Sequence, residues 1–307
     1  MNSILIIIPS NKIGGAERIM ISTAELLSQD FKIHLIVLNK LDREIKINDS
    51  IKIIQLNKKK IIYSVLDIYK IIKKNKFDYI ISTITHLNIL IILIKLFFNF
   101  KNKIILREAN TTSLNLSTKK FYSRFIYNFL IKFTYPFAYK IIAVSKGVKD
   151  DLINSYKINN NKIKIIYNFV KLDKIKNLSL EQNNIEHIKK IQPYILNIGS
   201  LSYQKNHELI IKAFAKIKNY KNHKLLIIGE GKLRKNLLYL VKSLNLTNKI
   251  IFLGEISNPY PYLANCSVLV HCSRWEGLPN VLLEALALDQ FIVSSDCKSG
   301  PSEIIQS

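Results

Sequence analysis

The chain has 307 residues, of which 48% are hydrophobic and 22% are charged. This length is about right for two domains, and this composition excludes general disorder. The formal net charge is +24, and residues 51–150 carry 19 basic and 4 acidic side chains. Such an excess favours an anionic partner, either nucleic acid, an anionic membrane surface or a phosphorylated substrate. A general bias toward Lys, Ile and Asn would produce it as well.

The cysteine content and the first residues bear on the compartment. Three cysteines without C-x-x-C spacing argue against a disulfide framework and against a cysteine-based zinc site, and they fit a reducing, cytoplasmic compartment. The start has only five consecutive apolar residues before Pro9 and no basic segment, unlike a signal peptide. We expect a first β-strand there.

Short apolar runs alternate with segments of helical periodicity up to about residue 170, which is typical of βαβ units and a parallel sheet. Strands are predicted at 4–8, 33–38, 51–54, 79–82, 103–106, 141–144 and 163–166. Helices are predicted at 16–27, 61–74, 86–98, 119–135 and 146–155. The apolar segment 79–98 is not predicted to span a membrane, because its uninterrupted apolar core covers only 89–94.

The second half repeats this alternation after a polar, weakly periodic stretch that is typical of a linker. Strands are predicted at 195–198, 224–228, 250–253, 268–270 and 291–294, and helices at 208–218, 233–244 and 280–288. The expected organisation is a first domain at 1–170, a linker at 171–192 and a second domain at 193–307. The fold class is therefore α/β with two Rossmann-like domains.

Two pairs of glycines follow predicted strands, Gly14 with Gly15 and Gly229 with Gly231. A glycine at a strand-to-helix turn lets backbone amides approach a phosphate at the start of the helix. Each of these glycines taken alone is more often the mark of a tight turn. Neither pair completes G-x-G-x-x-G, which disfavours a dinucleotide-dependent dehydrogenase.

The segment 273–285, S-R-W-E-G-L-P-N-V-L-L-E-A, is more specific. Pro279 suits the first turn of a helix, so Glu276 and Gly277 lie in the preceding loop and Glu284 lies about a turn and a half inside the helix. A carboxylate among apolar residues is costly to bury unless hydroxyls or cations satisfy it. The paired hydroxyls of a sugar or ribose would do so. Two unrelated surface glutamates are the alternative.

The run E-G-L-P-N-V-L-L-E-A resembles the E-x7-E motif of the family 4 retaining glycosyltransferases, whose GT-B fold has two Rossmann-like domains facing a cleft. Further stretches resemble the family in the same order: G-G-A-E-R at 14–18, V-S-K-G-V at 144–148, I-Y-N-F-V at 166–170, I-G-S-L-S-Y-Q-K-N-H at 198–207, I-G-E-G-K-L-R at 228–234 and D-C-K-S-G-P-S-E-I-I at 296–305. The resemblance covers nearly the whole chain.

The resemblance also implies roles for the residues of the motif. Glu276 would contact the donor sugar, and Glu284 would accept hydrogen bonds from the ribose hydroxyls. The amides of Gly277 and Leu278 would face the pyrophosphate. Lys205 would neutralise the diphosphate leaving group. No metal cofactor is expected, since the family generally needs none and the chain has no D-x-D sequence.

The remaining site residues are implied in the same way. His86 would lie near the donor sugar in the first domain, and Gly14 and Gly15 would bring their loop to the reacting centre. Further donor-binding residues would be Gly229, Gly231 and Ser200. His271 and Arg274 flank the motif and are weaker candidates, and Arg107 with Glu108 closes a first-domain strand.

Two departures from the family pattern affect what the chain can do. Ser200 stands where family members commonly have an arginine, so Lys205 lacks its usual partner for the diphosphate. The family also continues beyond G-P-S-E-I-I, so the second domain is expected to be incomplete, as in a truncated gene, a fragment or a reduced variant.

The stretch 117–137 interleaves aromatic residues with Lys119, Lys120, Arg124 and Lys132. Such a segment is typical of a basic amphipathic helix on an anionic membrane surface. A core helix with a solvated lysine face would have a similar sequence. The lipid-linked acceptors common in the family favour membrane contact, at the inner face of the cytoplasmic membrane.

The leading hypothesis is a hexosyl- or N-acetylhexosaminyltransferase. It would move a sugar from a nucleotide-diphosphate sugar, a UDP-sugar above all, to a glycan or lipid-linked acceptor with retention of configuration, in the synthesis of cell-surface polysaccharide or glycan. The alternative is a truncated, non-catalytic remnant that binds donor or associates with the membrane and serves as a scaffold for glycan assembly. Nucleic-acid binding is not predicted, because neither a stacking platform nor a groove-binding helix is evident.

Overall fold

The computed structural model describes residues 2–9, 14–39, 47–58, 61–181, 185–217 and 223–305. The chain divides into two compact units, Met1–Asn168 and Phe169–Ser307. Each unit contains one parallel β-sheet with helices between its strands. The predicted α/β class with two Rossmann-like domains is therefore confirmed.

The sheet of the first unit has the strand order β3-β2-β1-β4-β5-β6-β7 among the described residues, and all neighbours are parallel. Its central strands are largely apolar, because helices cover both faces of a parallel sheet, whereas the edge strand at 52–55 is mostly exposed. The strands are β1 Ser3–Ile8, β2 Lys32–Val37, β3 Lys52–Gln55, β4 Tyr79–Thr83, β5 Lys103–Glu108, β6 Lys140–Ala143 and β7 Ile163–Ile165.

The helices of the first unit follow the predicted pattern, including the one predicted at 119–135, and a short helix that was not predicted, at 112–117, precedes that one. They are α1 Gly15–Leu27, α2 Val65–Lys74, α3 Thr85–Phe98, α4 Thr112–Ser117, α5 Phe121–Thr134 and α6 Lys146–Tyr156, with 3-10 turns at Ile61–Ser64, Tyr135–Phe137 and Asn160–Lys162. The apolar segment 79–98 is a strand followed by a helix, as predicted. In the described parts of the chain, no helix has the length and apolarity to cross a bilayer.

The sheet of the second unit has the order β10-β9-β8-β11-β12. Its strands are β8 Tyr194–Ile198, β9 Lys224–Ile228, β10 Ile250–Gly254, β11 Val268–His271 and β12 Ile292–Ser294. Its helices are α7 Leu172–Ser179, α8 Ile185–Ile191, α9 His207–Lys216, α10 Arg234–Ser243, α11 Tyr260–Ala264, α12 Asn280–Ala287 and α13 Pro301–Ile304. The predicted end of one helix, Lys218, lies outside the described residues.

The segment 171–192 differs from the predicted linker. It contains α7 and α8, and α7 packs against α11 and α12 of the second unit. Ile175, Ile188 and Ile191 are 5%, 1% and 6% exposed. These few apolar residues are too sparse to give a helical period in the sequence, yet they suffice to attach both helices to the second unit.

In each sheet the strand order reverses once, between β1 and β4 in the first and between β8 and β11 in the second. In open α/β sheets, ligands bind beyond the carboxyl ends of the strands at such a reversal. Gly14 lies in the loop after β1, and His86 lies in the first turn of the helix that follows β4. The loops after β8 and β11 carry Lys205 and Glu276. The topology thus brings the predicted site residues to the carboxyl edges of the two sheets.

Candidate functional site

The centre of the candidate site in the second unit is the carboxylate of Glu276, which is 6% exposed. Its Oε1 atom accepts hydrogen bonds from Lys205 Nζ at 2.5 Å and from Ser273 Oγ at 2.6 Å. His271, the last residue of β11, places Nε2 3.2 Å from the same oxygen. Lys205, His271, Ser273 and Glu276 form what we name the Glu276 cluster.

The cluster keeps Glu276 ionised. Burial alone would raise the pKa of this carboxyl, but the charge of Lys205 and the hydrogen bond from His271 outweigh burial and lower the pKa to about 2. An ionised carboxylate only accepts hydrogen bonds. Glu276 is therefore suited to bind hydroxyl groups and unsuited to act as a general acid or base near neutral pH.

Contacts between the loops that follow β8 and β11 hold the cluster in place. The backbone N–H of Arg274 donates to the carbonyl of Gln204 at 2.8 Å, and Gln204 Nε2 donates to the carbonyl of Trp275 at 2.9 Å. The guanidinium of Arg274 lies 4.3 Å from the ring centre of Tyr203, a cation–π contact, and its Nε donates to the Tyr203 carbonyl at 3.2 Å. Arg274, predicted to flank the motif, thus joins the two loops.

The segment before α13 supports the motif loop from the other side. Ser299 Oγ donates to the carbonyl of Gly277 at 3.1 Å. Gly300 has φ of 96°, and a Cβ atom there would lie 2.7 Å from Pro279 Cδ and 2.9 Å from the Gly277 carbonyl oxygen. No other residue fits this position without moving the motif loop. The G-P-S stretch of the sequence is therefore part of the support of the site.

The helix that follows the loop carries the second glutamate of the motif. Glu284 is the fifth residue of α12, is partly buried, and accepts a hydrogen bond from Tyr260 Oη at 3.2 Å. Gly277 and Leu278 are buried in the loop before the helix, and Pro279 occupies the N-cap. The structure places Glu276 in the loop and Glu284 eight residues later in the helix that follows it.

The other residues predicted to bind the donor lie in the loops after β8 and β9. A Cβ atom at Gly229, where φ is 138°, would lie 2.1 Å from the Gly199 carbonyl oxygen, and one at Gly231 would lie 2.5 Å from that of Leu201. Close packing of the loops after β8 and β9 thus accounts for both glycines. Ser200 is exposed, and its Oγ lies 3.2 Å from Ser202 Oγ. It supplies no cation beside Lys205.

The first unit holds the remaining predicted residues. Gly14 precedes α1 and Gly15 begins it, and the buried Glu17 lies so close that a Cβ at Gly14 would be 2.9 Å from Glu17 Oε2. His86 is the second residue of α3 and is partly buried, and burial together with the charge of Lys119 lowers its pKa. His86 and Gly14 belong to a different unit from the Glu276 cluster.

Ile84, just before α3, has φ of 74°. This backbone conformation is strained for a β-branched residue, and such strain is concentrated at functional sites. The turn before His86 therefore has a strained backbone, and no feature of the sequence predicts this strain.

A buried polar network lies behind this turn. Glu108, which is 1% exposed, accepts hydrogen bonds from Asn88 Nδ2 at 2.8 Å, Thr112 Oγ1 at 3.0 Å and Thr85 Oγ1 at 3.1 Å, as well as from the Tyr135 hydroxyl. Burial raises the pKa of Glu108, and these hydrogen bonds oppose the rise. The network fixes the start of α3, and with it His86, to the end of β5.

Sequence reasoning missed Ser273 and gave His271 only a weak place in the site. Both contact Glu276 directly. The signal for His271 was its position at the end of a predicted strand, where side chains of neighbouring loops meet. Ser273 carried no signal of its own, because a serine three residues before a glutamate is common in loops.

The chemistry of the Glu276 cluster suits a polyhydroxylated, anionic ligand. It offers an ionised carboxylate for hydroxyl groups and an ammonium for a phosphate, and the two groups lie 2.5 Å apart. Within the described residues, no group of three or more His, Cys, Asp and Glu side chains is arranged to hold a metal ion.

Comparisons with known proteins agree with this chemistry. Residues 13–174 match the model of Glycosyltransferase Family 4, and residues 179–307 match that of Glycosyl transferases group 1. The chain is 33% identical over 305 residues to the N-acetylgalactosamine-N,N'-diacetylbacillosaminyl-diphospho-undecaprenol 4-alpha-N-acetylgalactosaminyltransferase of Campylobacter jejuni, covering 95% of this chain and 80% of the relative.

A second Campylobacter jejuni relative, GalNAc-alpha-(1->4)-GalNAc-alpha-(1->3)-diNAcBac-PP-undecaprenol alpha-1,4-N-acetyl-D-galactosaminyltransferase, is 28% identical over 320 residues and is covered to 82%, with all of this chain aligned. Among solved structures, Anabaena Alr3699/HepE in complex with UDP and glucose has a TM-score of 0.78 at 16% identity, covering 100% of this chain and 84% of that one. This likeness shows the shared fold. The family match over more than half of the chain and the 33% identical relative together show that the chain belongs to glycosyltransferase family 4.

Proposed function

We propose that the chain transfers a sugar, an N-acetylhexosamine or a hexose, from a UDP-sugar to a glycan or lipid-linked acceptor, with retention of configuration. The observation that carries the proposal is the Glu276 cluster at the strand-order reversal of the second unit. Two relatives named as N-acetylgalactosaminyltransferases, both with diphospho-undecaprenol in their names, support the sugar and the acceptor class. A structural neighbour that holds UDP supports the nucleotide.

In this mechanism the main barrier is departure of the nucleoside diphosphate, on which negative charge accumulates as the glycosidic bond breaks. Lys205 would stabilise that charge, and Glu276 would hold the sugar by its hydroxyls. Oε1 of Glu276 is bound by Lys205, Ser273 and His271, and the low pKa makes the carboxylate a weak nucleophile. These features favour attack by the acceptor hydroxyl on the face that the diphosphate leaves, with the hydroxyl proton passing to the departing diphosphate, rather than a covalent glycosyl-enzyme.

Glu284 would bind the ribose hydroxyls of the donor, and His86 with the Gly14–Gly15 turn would serve the sugar from the first unit. Because Ser200 supplies no second cation beside Lys205 for the diphosphate, we expect the affinity for the donor to be modest. The non-catalytic alternative is not favoured, because two relatives that align with 95% and 100% of this chain are named as transferases.

The decisive experiment compares wild type with Glu284→Ala for hydrolysis of UDP-N-acetylhexosamine and for transfer to a polyprenyl-diphosphate glycan. Removing the carboxylate should lower kcat/KM by about one to two orders of magnitude, as expected for a charged hydrogen bond left unmade. Tyr260→Phe, which removes the partner hydroxyl of Glu284 but keeps the carboxylate, is the matched control and should retain most activity. Equal turnover of Glu284→Ala and wild type would refute the assignment.

We also propose that the first unit associates with the surface of an anionic membrane through α5. The outward face of this helix carries large exposed side chains at Phe121 (76%), Tyr122 (81%), Phe125 (67%), Ile126 (54%), Phe129 (61%) and Phe133 (48%). We name these six residues the aromatic face. A solvated helix would carry polar residues there, whereas aromatic side chains beside basic residues suit the bilayer interface.

A further inference from the structure

A small pocket among α4, α5 and α6 of the first unit contains none of the residues assigned to the transfer reaction. Its volume is about 180 Å³, below the roughly 300 Å³ at which sites for whole drug-sized ligands begin. It is lined by Ser113, Arg124, Asn128, Lys132, Ser155 and Tyr156. A ligand in this pocket is therefore a small group, or one end of a larger molecule.

Two cations line one side of the pocket. Arg124 and Lys132 lie eight residues apart on α5 with Asn128 midway between them, so the three side chains share one face of the helix. Neither cation is in an ion pair with any residue of the described ranges. Two unneutralised cations and an amide that converge on one cavity favour an anionic ligand.

Tyr156 supplies the second, independent observation. Its side chain lines the pocket and is 3% exposed, and its hydroxyl has no hydrogen-bond partner among the described residues. A buried hydroxyl without a partner is unfavourable. Burial and the neighbouring Asp151 raise the pKa of Tyr156, so the hydroxyl keeps its proton and can donate it. The hydroxyl itself is shielded from solvent, and a ligand oxygen that reaches it from the pocket would supply the missing acceptor.

One carboxylate stands next to the pocket and restricts the ligand further. Asp151, which is 4% exposed, accepts hydrogen bonds from the Ser113 backbone N–H at 2.9 Å, from Ser155 Oγ at 2.9 Å and from the Ser113 hydroxyl. Because both serine hydroxyls donate to Asp151, their oxygens remain available to the pocket as acceptors. The pocket therefore suits a phosphate that carries a hydroxyl-bearing substituent, such as a glycerol or sugar head group.

The position of the pocket indicates where that phosphate comes from. Arg124 and Lys132 lie on the same helix as the aromatic face, at its edge. If the aromatic side chains enter the bilayer interface, both cations stand at the depth of the lipid phosphates. We propose that the pocket binds the phosphate of one anionic lipid head group and so fixes α5 on the membrane, an inference that rests on the proposed membrane association.

The test measures binding of the full chain to two kinds of vesicle, both made mainly of digalactosyl diacylglycerol, a neutral lipid without phosphate. One kind also contains phosphatidylglycerol, and the other contains oleate, an anion without phosphate, at equal surface charge. Wild type should bind the phosphatidylglycerol vesicles roughly ten- to a hundredfold more tightly in flotation assays, the size expected from hydrogen bonds to a charged group. Tyr156→Phe and Arg124→Gln should abolish most of this preference. Lys120→Gln removes a charge from the N-cap of the same helix, outside the pocket, and should weaken binding to both kinds of vesicle equally.

Each outcome separates the possibilities. A preference that persists in Tyr156→Phe, which changes no charge, would overturn the pocket while leaving membrane association intact. Equal binding of wild type to both vesicles would do the same. Failure to bind either vesicle would overturn the membrane association together with the lipid site. Inorganic phosphate is the final probe: if it raises Tm in wild type and not in Tyr156→Phe while no lipid preference exists, the ligand is a soluble phosphate and the lipid proposal is wrong.

Discussion

Glu276 shows how a buried charge is maintained by its neighbours. The carboxylate would be strongly destabilising in a 6% exposed position if Lys205 and His271 did not contact it. Its pKa is about 2, compared with 4.5 for an ordinary glutamate. Because the carboxyl binds a proton less readily in the folded chain than in the unfolded chain, ionised Glu276 stabilises the fold above pH 4.5, and this contribution is lost as the pH falls toward 2.

We therefore expect Glu276→Gln to be less stable than wild type at pH 7, by on the order of 3 kcal/mol, and the difference to shrink as the pH falls toward 3. Urea denaturation at the two pH values measures this. Glu255→Gln, at an exposed glutamate of the same unit, is the control and should change stability little at either pH. A deficit of constant size across the pH range would contradict the pairing of Glu276 with Lys205.

The sequence predicted part of this cluster. Glu276 and Lys205 were expected from the resemblance, since they lie in segments with recognisable motifs. Their contact with Ser273 and His271 could not be predicted, because it depends on how two loops are held by Arg274 and Gln204. The strained turn at Ile84 was equally hidden, since isoleucine has no tendency toward positive φ.

The outward face of helix α5 is exposed to solvent although its side chains are large and apolar. Side chains of the aromatic face contact one another. The rings of Phe129 and Phe133 stack with their centres 6.2 Å apart, and the ring centres of Phe121 and Tyr122 are 5.9 Å apart. A continuous apolar surface of this kind on a monomer marks an interaction site.

We expect the double substitution Phe125→Ser and Phe129→Ser to lower affinity for phosphatidylglycerol vesicles at least tenfold, since each phenylalanine transfers apolar area into the interface. The side chains are 67% and 61% exposed, so Tm should change little. Phe291→Ser removes an 80% exposed phenylalanine from the second unit and is the matched control. Undiminished vesicle binding by the double variant, measured by flotation, would exclude the aromatic face as the membrane contact.

At the level of elements, the long apolar strands were predicted to within about two residues, because a buried parallel strand reads as a continuous apolar run. The helices α4, α11 and α13 were missed, and each has no more than six residues. Elements so short hold too few residues to show a helical period, and tertiary packing decides them. The same reason explains α7 and α8 within the predicted linker.

At the scale of the whole molecule, charge is distributed unevenly between the two units. Residues 51–150 carry a net of +15, from 19 basic and 4 acidic side chains, and residues 251–307 carry a net of −4, from 2 basic and 6 acidic ones. The basic region lies in the first unit, as does the aromatic face. Attraction to an anionic surface would therefore act mainly on the unit that is proposed to contact the membrane.

Nucleotide binding offers a test on the intact chain. A ligand that binds only the folded state stabilises it by about 2.7 kcal/mol at a concentration 100 times Kd. We expect UDP and UDP-sugars at saturation to raise Tm by a few degrees, and GDP, ADP and CDP to raise it less, in a thermal-shift panel. Lys205→Met should reduce the UDP effect. An equal shift with every nucleoside diphosphate would contradict the preference for uridine.

The short contact between Lys205 and Glu276 also constrains how the protein can vary. A neutral residue at 205 leaves a buried anion, and a neutral residue at 276 leaves a half-buried cation, so either change alone is harmful while the two together are better tolerated. Positions 205 and 276 are therefore epistatic. In a library randomised at both and selected only for folding, surviving clones should retain both charges or lose both.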